Sequence, residues 1–158
     1  DLSNDLGNLC QRSLSMIHKH LNGNIPNKGT LNNEEEELIN RSEKIISDSI
    51  ELMNDQKIHE YIKLIWDYIN DANKYFNDQK PWELVNNDID RFNTVLNITC
   101  DLIKRIGIFI YPIMPDTSNK LMKMMNIDIK EISFSKMNSC SIDGTKINSL
   151  SQLFPRID

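Results

Sequence analysis

The chain has 158 residues, of which 39% are hydrophobic and 26% charged, which suits one soluble globular domain and excludes a disordered tail or two ordinary domains. Five glycines and five prolines are few for a strand-rich sandwich and fit helices joined by short turns. A formal net charge of −5 and an isoelectric point near 5.2 exclude a general polyanion binder, so any nucleic-acid contact must be local and specific.

Helical periodicity organises residues 1–126. The expected fold is all-α, an antiparallel up-down bundle of about five helices with an extended C-terminal tail over residues 127–158. The first helix spans Leu2 to Leu21 and stops at Asn22-Gly23, a C-cap pair. After a loop with Pro26, the second spans Leu31 to Met53, with Leu38, Ile45, Ile46, Ile50 and Met53 on its apolar stripe. The acidic run Glu34 to Glu37 falls in its first turn, where carboxylates complement the helix dipole.

The third helix spans Ile58 to Phe76, with Ile58, Ile62, Ile65, Ile69, Ala72 and Phe76 three or four residues apart. Trp66 lies beside that stripe and is expected in the core. Pro81 forbids continuation. The fourth helix spans Ile89 to Tyr111, its stripe running from Ile89 through Phe92, Leu96, Ile103 and Ile106 to Ile110. Pro112 and Pro115 follow, and Asp116 is the expected N-cap of a short fifth helix reaching Met125. The Ser- and Asn-rich tail turns at Gly144 and ends in Leu153-Phe154-Pro155-Arg156-Ile157. The opening Asp-Leu-Ser-Asn, without Met, is expected to belong to a longer protein.

Cys10, Cys100 and Cys140 are odd in number, far apart and in no Cys-x-x-Cys pattern. No disulfide framework or zinc site is expected, and a reducing cytoplasmic setting fits. His18 and His20 straddle Lys19 and point to different sides of a helix, which argues against a joint metal site. The apolar run Ile106 to Met114 is about half of a membrane span and contains Pro112, so no membrane partner is expected. Nucleophile elbows, phosphate loops and dinucleotide fingerprints are absent from the sequence, and no catalytic residue is assigned.

Two features stay open on chemistry alone. Asn8 and Arg12 lie four apart on the first helix and project from one face. Their planar, multi-donor edges suit the edges of unpaired bases, and equally an ordinary exposed polar pair. Trp82 follows Lys80-Pro81. It is either an aromatic plug between helices or a stacking platform, where a base contributes about 1–3 kcal/mol and a neighbouring Lys attracts phosphate.

Four segments in order sharpen both. Asn4–Ile17 (NDLGNLCQRSLSMI), Asp71–Leu84 (DANKYFNDQKPWEL), Ile110–Leu121 (IYPIMPDTSNKL) and Gly144–Ile157 (GTKINSLSQLFPRI) together resemble the C-terminal anticodon-binding domain of bacterial-type methionyl-tRNA synthetases. The resemblance implies a class I synthetase helical bundle that docks on its own N-terminal catalytic domain and holds the anticodon loop of methionine tRNA. It assigns base reading to Asn8 and Arg12 and stacking on the first anticodon base to Trp82, with Lys80 and Pro81 in support. The family's His-Ile-Gly-His and Lys-Met-Ser-Lys-Ser signatures are missing, so methionine activation, with ATP and Mg, is implied for the full-length enzyme only. No cofactor is expected in this segment. The dimerisation module of some family members is also missing, so a monomer is expected. The rival readings are the bundle of another class I synthetase and a helical protein-interaction module without an RNA role; the second requires Trp82 to be buried.

Overall fold

The computed structural model describes residues 2–128, 130, 133–138 and 141–149, with side chains from Asn4 onward. Cys140 and the Leu153–Ile157 stretch lie outside the described residues. Six α-helices appear among them: α1 (Leu2–Leu21), α2 (Asn33–Asn54), α3 (Ile58–Gln79), α4 (Pro81–Asn87), α5 (Ile89–Ile110) and α6 (Pro115–Met124). The fold is the all-α bundle the periodicity implies, with a short additional helix at α4.

Helix α5 is the axis of the bundle, packing against each of the other five. Every residue from Thr94 to Ile110 is buried, so α5 is enclosed on all sides rather than amphipathic. Its polar side chains must then find partners, because an unpaired buried polar group costs about 1–3 kcal/mol. Asn97 donates to the Pro26 carbonyl at 2.7 Å and to Asp143 at 2.6 Å. Arg105 donates to Asp101 at 3.0 Å and to the Ser42 hydroxyl at 2.7 Å, and Lys104 lies 3.2 Å from the same carboxylate. Gly107 lets α6 approach: a Cβ there would lie 2.5 Å from the Met122 terminal methyl.

Helices α2 and α3 meet along a seam with coiled-coil spacing. Buried α2 positions are Glu35, Leu38, Ser42, Ile45 and Ser49, and on α3 Tyr61, Ile65, Tyr68, Ala72 and Tyr75 recur at the same steps. Glu35 meets Tyr75, Ser42 meets Tyr68 and Ser49 meets Tyr61, a register that runs oppositely along the two helices. The polar half of this seam explains several departures from the expected stripes. The tyrosines centre the buried face of α3 away from Trp66, which is 36% exposed rather than in the core. Ile50, Met53 and Ile58 are exposed near the tip of the α2–α3 hairpin, and Ile89 is exposed in the first turn of α5.

Helix boundaries differ by two or more residues in three places. Helix α2 starts at Asn33 under an Asn32 capping box, in which the Asn32 side chain accepts from Glu35 N and Glu35 returns the bond to Asn32 N, both at 2.9 Å. Helix α3 runs one turn past Phe76. Helix α6 begins with Pro115 at its first position after Met114, which makes no side-chain cap, so Asp116 sits inside the first turn instead of capping it.

Residues 141–149 lie across the base of the bundle. Asn24 and Lys146 form an isolated antiparallel bridge, with Ile25 N bonded to Thr145 O at 2.8 Å and Ile147 N to Gly23 O at 2.8 Å. Gly23 adopts φ +80°, a conformation that lets the chain reverse directly after α1. Ile142 and Ile147 are buried, and Asn148 donates to the Lys123 carbonyl at 2.7 Å.

Candidate nucleic-acid interface

Three elements build one exposed corner of the bundle: the N-terminal half of α1, the last turn of α3 and the start of α4. The Asn73 side chain donates to the Asp5 carbonyl at 3.0 Å, which fixes α3 against α1 there. Lys80 then adopts a left-handed conformation, φ 48° and ψ 60°, and the chain turns into α4 with Pro81 at its first helical position. The amides of Glu83 and Leu84 bond to the Lys80 carbonyl at 2.9 and 3.3 Å. Pro81 is therefore a helix opener as much as a stop, and it is buried while Lys80 is exposed.

Trp82 is 42% exposed. One edge of it rests on Phe76, which is fully buried; the ring centroids are 6.2 Å apart and inclined by 62°. The Arg12 guanidinium carbon lies 5.4 Å from the Trp82 centroid and 5.0 Å from that of Phe76, within cation–π range of both. Arg12 Nη1 also donates to Asn77 Oδ1 at 2.7 Å. Asn8 is exposed one turn before Arg12 on the same helix. Arg12 and Trp82 thus meet across 70 residues of sequence, and Asn8 lies one turn before Arg12 on α1.

Phe76 and Asn77 carry no functional signal in the sequence. Phe76 reads there only as a stripe residue, and nothing in the sequence pairs Asn77 with Arg12. Nearby charges are mixed. Lys74 is held by Asp78 at 2.8 Å, which raises its affinity for its proton, and Glu83 follows Trp82 directly. The corner is a surface rather than a cavity. A concavity of about 730 Å³ lies elsewhere, between α6, residues 126–128 and Asn148, with Asp116, Asn119, Lys120 and Lys123 on the α6 side.

Behind the corner lies a buried polar cluster. Glu35 is fully enclosed, accepts from Tyr75 at 2.6 Å and from Asn32 N at 2.9 Å, and is ion-paired with Arg91. Burial alone raises its pKa; the bonds from Arg91, Tyr75 and Asn32 outweigh that and hold the carboxyl below its ordinary value. Burial and the adjoining Glu35 carboxylate push the Tyr75 phenol far up. Among the described residues no group of three or more His, Cys, Asp or Glu side chains is arranged to hold a metal ion. Cys10 and Cys100 are buried free thiols, and burial raises the pKa of Cys10 to about 12. No helix among the described residues is long and apolar enough to cross a membrane.

An all-α bundle that leaves an aromatic ring and a guanidinium together on its surface has the chemistry on which an unpaired base can stack. Residues 25–158 match the family described as the anticodon binding domain of methionyl tRNA ligase, and the chain belongs to that family. It is 32% identical over 157 residues to the methionine–tRNA ligase of Brucella suis biovar 1, covering 99% of this chain and 30% of that protein. It is 32% identical over 160 residues to that of Mycobacterium bovis, covering 99% of this chain and 31% of that protein. The apo crystal structure of Mycobacterium tuberculosis methionyl-tRNA synthetase superposes with a TM-score of 0.94 at 32% identity, covering 100% of this chain and 33% of that one. The same enzyme in complex with methionyl-adenylate gives a TM-score of 0.93 at 33% identity, over 99% of this chain and 31% of that one. The chain spans about 30% of the length of the relatives it matches.

Proposed function

We propose that this chain holds the anticodon loop of methionine tRNA, as the RNA-reading part of a longer methionine–tRNA ligase. The observation that supports this most is the contact of Arg12 with the Trp82 ring on an exposed corner, in a chain of this family. A base splayed from the anticodon loop stacks on the indole of Trp82, beside the Lys80-Pro81 turn. Arg12 then faces its Watson–Crick edge. Cytosine, the first anticodon base for methionine, presents acceptors on that edge, and Arg is a pure donor; Asn8 supplies one donor and one acceptor group. A wrong base leaves these groups desolvated and unpaired, which is the source of discrimination.

Residues 1–126 act as the anticodon-binding bundle. Residues 127–158 are the tail that faces the enzyme's own N-terminal catalytic domain; within its described part, the bridge between Asn24 and Lys146 supports packing of the tail on the bundle. Activation of methionine with ATP and Mg belongs to that catalytic domain, as the adenylate complex of the Mycobacterium tuberculosis relative suggests. The full-length enzyme acts in the cytoplasm as a monomer. The acidic balance of this chain is compatible with RNA because its contact is confined to one loop and the rest of the tRNA rests elsewhere on the enzyme.

The test is charging by the full-length protein of methionine tRNA and of the same tRNA with its first anticodon base changed from cytosine. Strong preference for the unchanged tRNA is expected; equal charging of the two contradicts the reading.

A further inference from the structure

Helix α4, which carries Trp82, has seven residues and no side-chain cap at its N-terminus. A helix that short does not hold its own geometry in water. Its direction is inherited from the last turn of α3, through Lys80, and from its packing on α5. The last turn of α3 is in turn gripped from two sides by polar groups. The Gln79 amide accepts from Arg91 Nη2 at 2.8 Å and donates to Glu34 at 3.3 Å. One turn earlier, Tyr75 donates to Glu35 at 2.6 Å, and Arg91 closes the circuit by pairing with Glu35. Glu35 belongs to the first turn of α2 and Arg91 to the first turn of α5, so three helix ends meet at Gln79, one residue before the left-handed Lys80.

We propose that Glu35, Arg91 and Gln79 are positioning residues for Trp82: they lock the last turn of α3 and thereby set where α4 presents the indole to an RNA base. This rests on the anticodon-reading role of Trp82. A salt bridge between Glu35 and Arg91 alone would suffice to tie α2 to α5. The additional bond from the same Arg91 nitrogen to Gln79 brings α3 into the lock, and Gln79 lies on the direct covalent path to Trp82. Both bonds leave one guanidinium nitrogen, whose two N–H groups point in fixed directions in the plane of the fork, a geometry that a freely rotating ammonium does not impose. None of the three touches the proposed base.

The test uses the full-length enzyme and measures the KM for methionine tRNA, the KM for methionine, and the charging ratio between cognate and anticodon-changed tRNA. Gln79→Ala is expected to raise the tRNA KM about fivefold and lower the ratio, leaving the KM for methionine unchanged. Arg91→Met is expected to do the same more strongly and Arg91→Lys to recover only part. Asp101→Asn, which loosens the other buried ion-pair cluster, is expected to lower the melting temperature with the charging ratio unmoved. In a Trp82→Ala background Gln79→Ala is expected to add nothing, because a positioning residue acts only through the group it positions. If Arg91→Met does not fold, Gln79→Ala, at a partly exposed site, carries the test. Two results overturn the inference. Should Trp82→Ala raise the tRNA KM while Gln79→Ala leaves it within twofold, the lock is structural only and the site reading survives. Should Trp82→Ala itself change nothing, the site reading fails and the inference falls with it.

Discussion

The Arg12 guanidinium stands 5.4 Å from the centroid of Trp82 while its Nη1 is anchored 2.7 Å from the Asn77 side-chain oxygen. The pairing gives the charged fork one fixed orientation beside an exposed aromatic ring. The base-reading role proposed for Arg12 and simple attraction to phosphate make different demands on that group. A planar, multi-donor group is needed for the first, and any cation serves the second. Arg12→Lys in the full-length enzyme is therefore expected to weaken binding of methionine tRNA about tenfold, as the loss of a base-edge contact does. Near-normal binding by the lysine variant, measured by equilibrium titration, would reduce Arg12 to a phosphate contact. Asn77→Ala is expected to act in the same direction but less, by about 1 kcal/mol, the net size of one hydrogen bond.

The two tryptophans offer a spectroscopic separation. Trp66 and Trp82 are similarly exposed, 36% and 42%, but only Trp82 lies at the Arg12 corner. Addition of methionine tRNA is expected to quench indole fluorescence in wild type and in Trp66→Phe, and to leave the emission of Trp82→Phe nearly unchanged. Quenching that follows Trp66 instead points to a different RNA-facing surface.

The acid limb of stability belongs in part to Glu35. Its carboxyl is held below the ordinary 4.5 in the folded state because Arg91, Tyr75 and the Asn32 amide outweigh its burial. The unfolded chain takes up this proton first as pH falls. The stabilisation is thus fully present above about pH 4.5 and is lost as pH drops through the lower folded value. Glu35→Gln is expected to cost about 1–3 kcal/mol at neutral pH, the penalty of a broken buried charged hydrogen bond. That deficit shrinks on acidification. Denaturant melts at neutral and acidic pH measure it; a deficit independent of pH contradicts the assignment.

At the alkaline end the seam of tyrosines takes over. The Tyr61 hydroxyl donates to the Phe109 carbonyl at 2.6 Å, and burial pushes its pKa from 10.0 to about 12. Here the unfolded phenol loses its proton first. Stability is whole below pH 10 and declines as pH rises toward about 12. Tyr68 and Tyr75 are shifted in the same direction by burial. Helical circular dichroism followed through this range is expected to fall, and Tyr61→Phe to flatten the decline. An unchanged slope in that variant assigns the alkaline transition to other groups.

Much of the bundle can be read from periodicity. Helix α1 ends where Asn22-Gly23 says it must, and Pro112 and Pro115 bracket the turn between α5 and α6. Periodicity misleads where a polar residue fills a core position. Glu35, Ser42 and Ser49 occupy the α2 face that meets Tyr75, Tyr68 and Tyr61, and counting apolar side chains alone shifts both stripes toward Ile50 and Trp66. Helix α4 is invisible to the same method, because a proline after a helix reads as a stop. It is the left-handed Lys80 that lets Pro81 open a second helix at once.

The site divides along similar lines. Helical spacing puts Asn8 and Arg12 on one face, and Lys80-Pro81 frees Trp82 from the α3 stripe, but both leave the role open; the family resemblance is what assigns it. Their convergence is tertiary. Phe76 props the indole and Asn77 aims the guanidinium across an interval of 65 residues that no local pattern encodes. Glu35 looks, in sequence, like one carboxylate among four in a helix's first turn. Only the fold turns it inward onto Arg91.

The most direct test of the account is the ratio of affinities of the full-length enzyme for methionine tRNA and for its anticodon-changed counterpart, measured in wild type and in Trp82→Ala. The expected result is a loss of cognate binding by about 1–3 kcal/mol, the worth of one stacked base; a changed first base, which Arg12 and Asn8 do not hold against the indole, has little stacking to lose, so that the ratio collapses. An unchanged ratio, with Trp82→Ala properly folded, would show that the indole is a packing element and that the anticodon is read elsewhere.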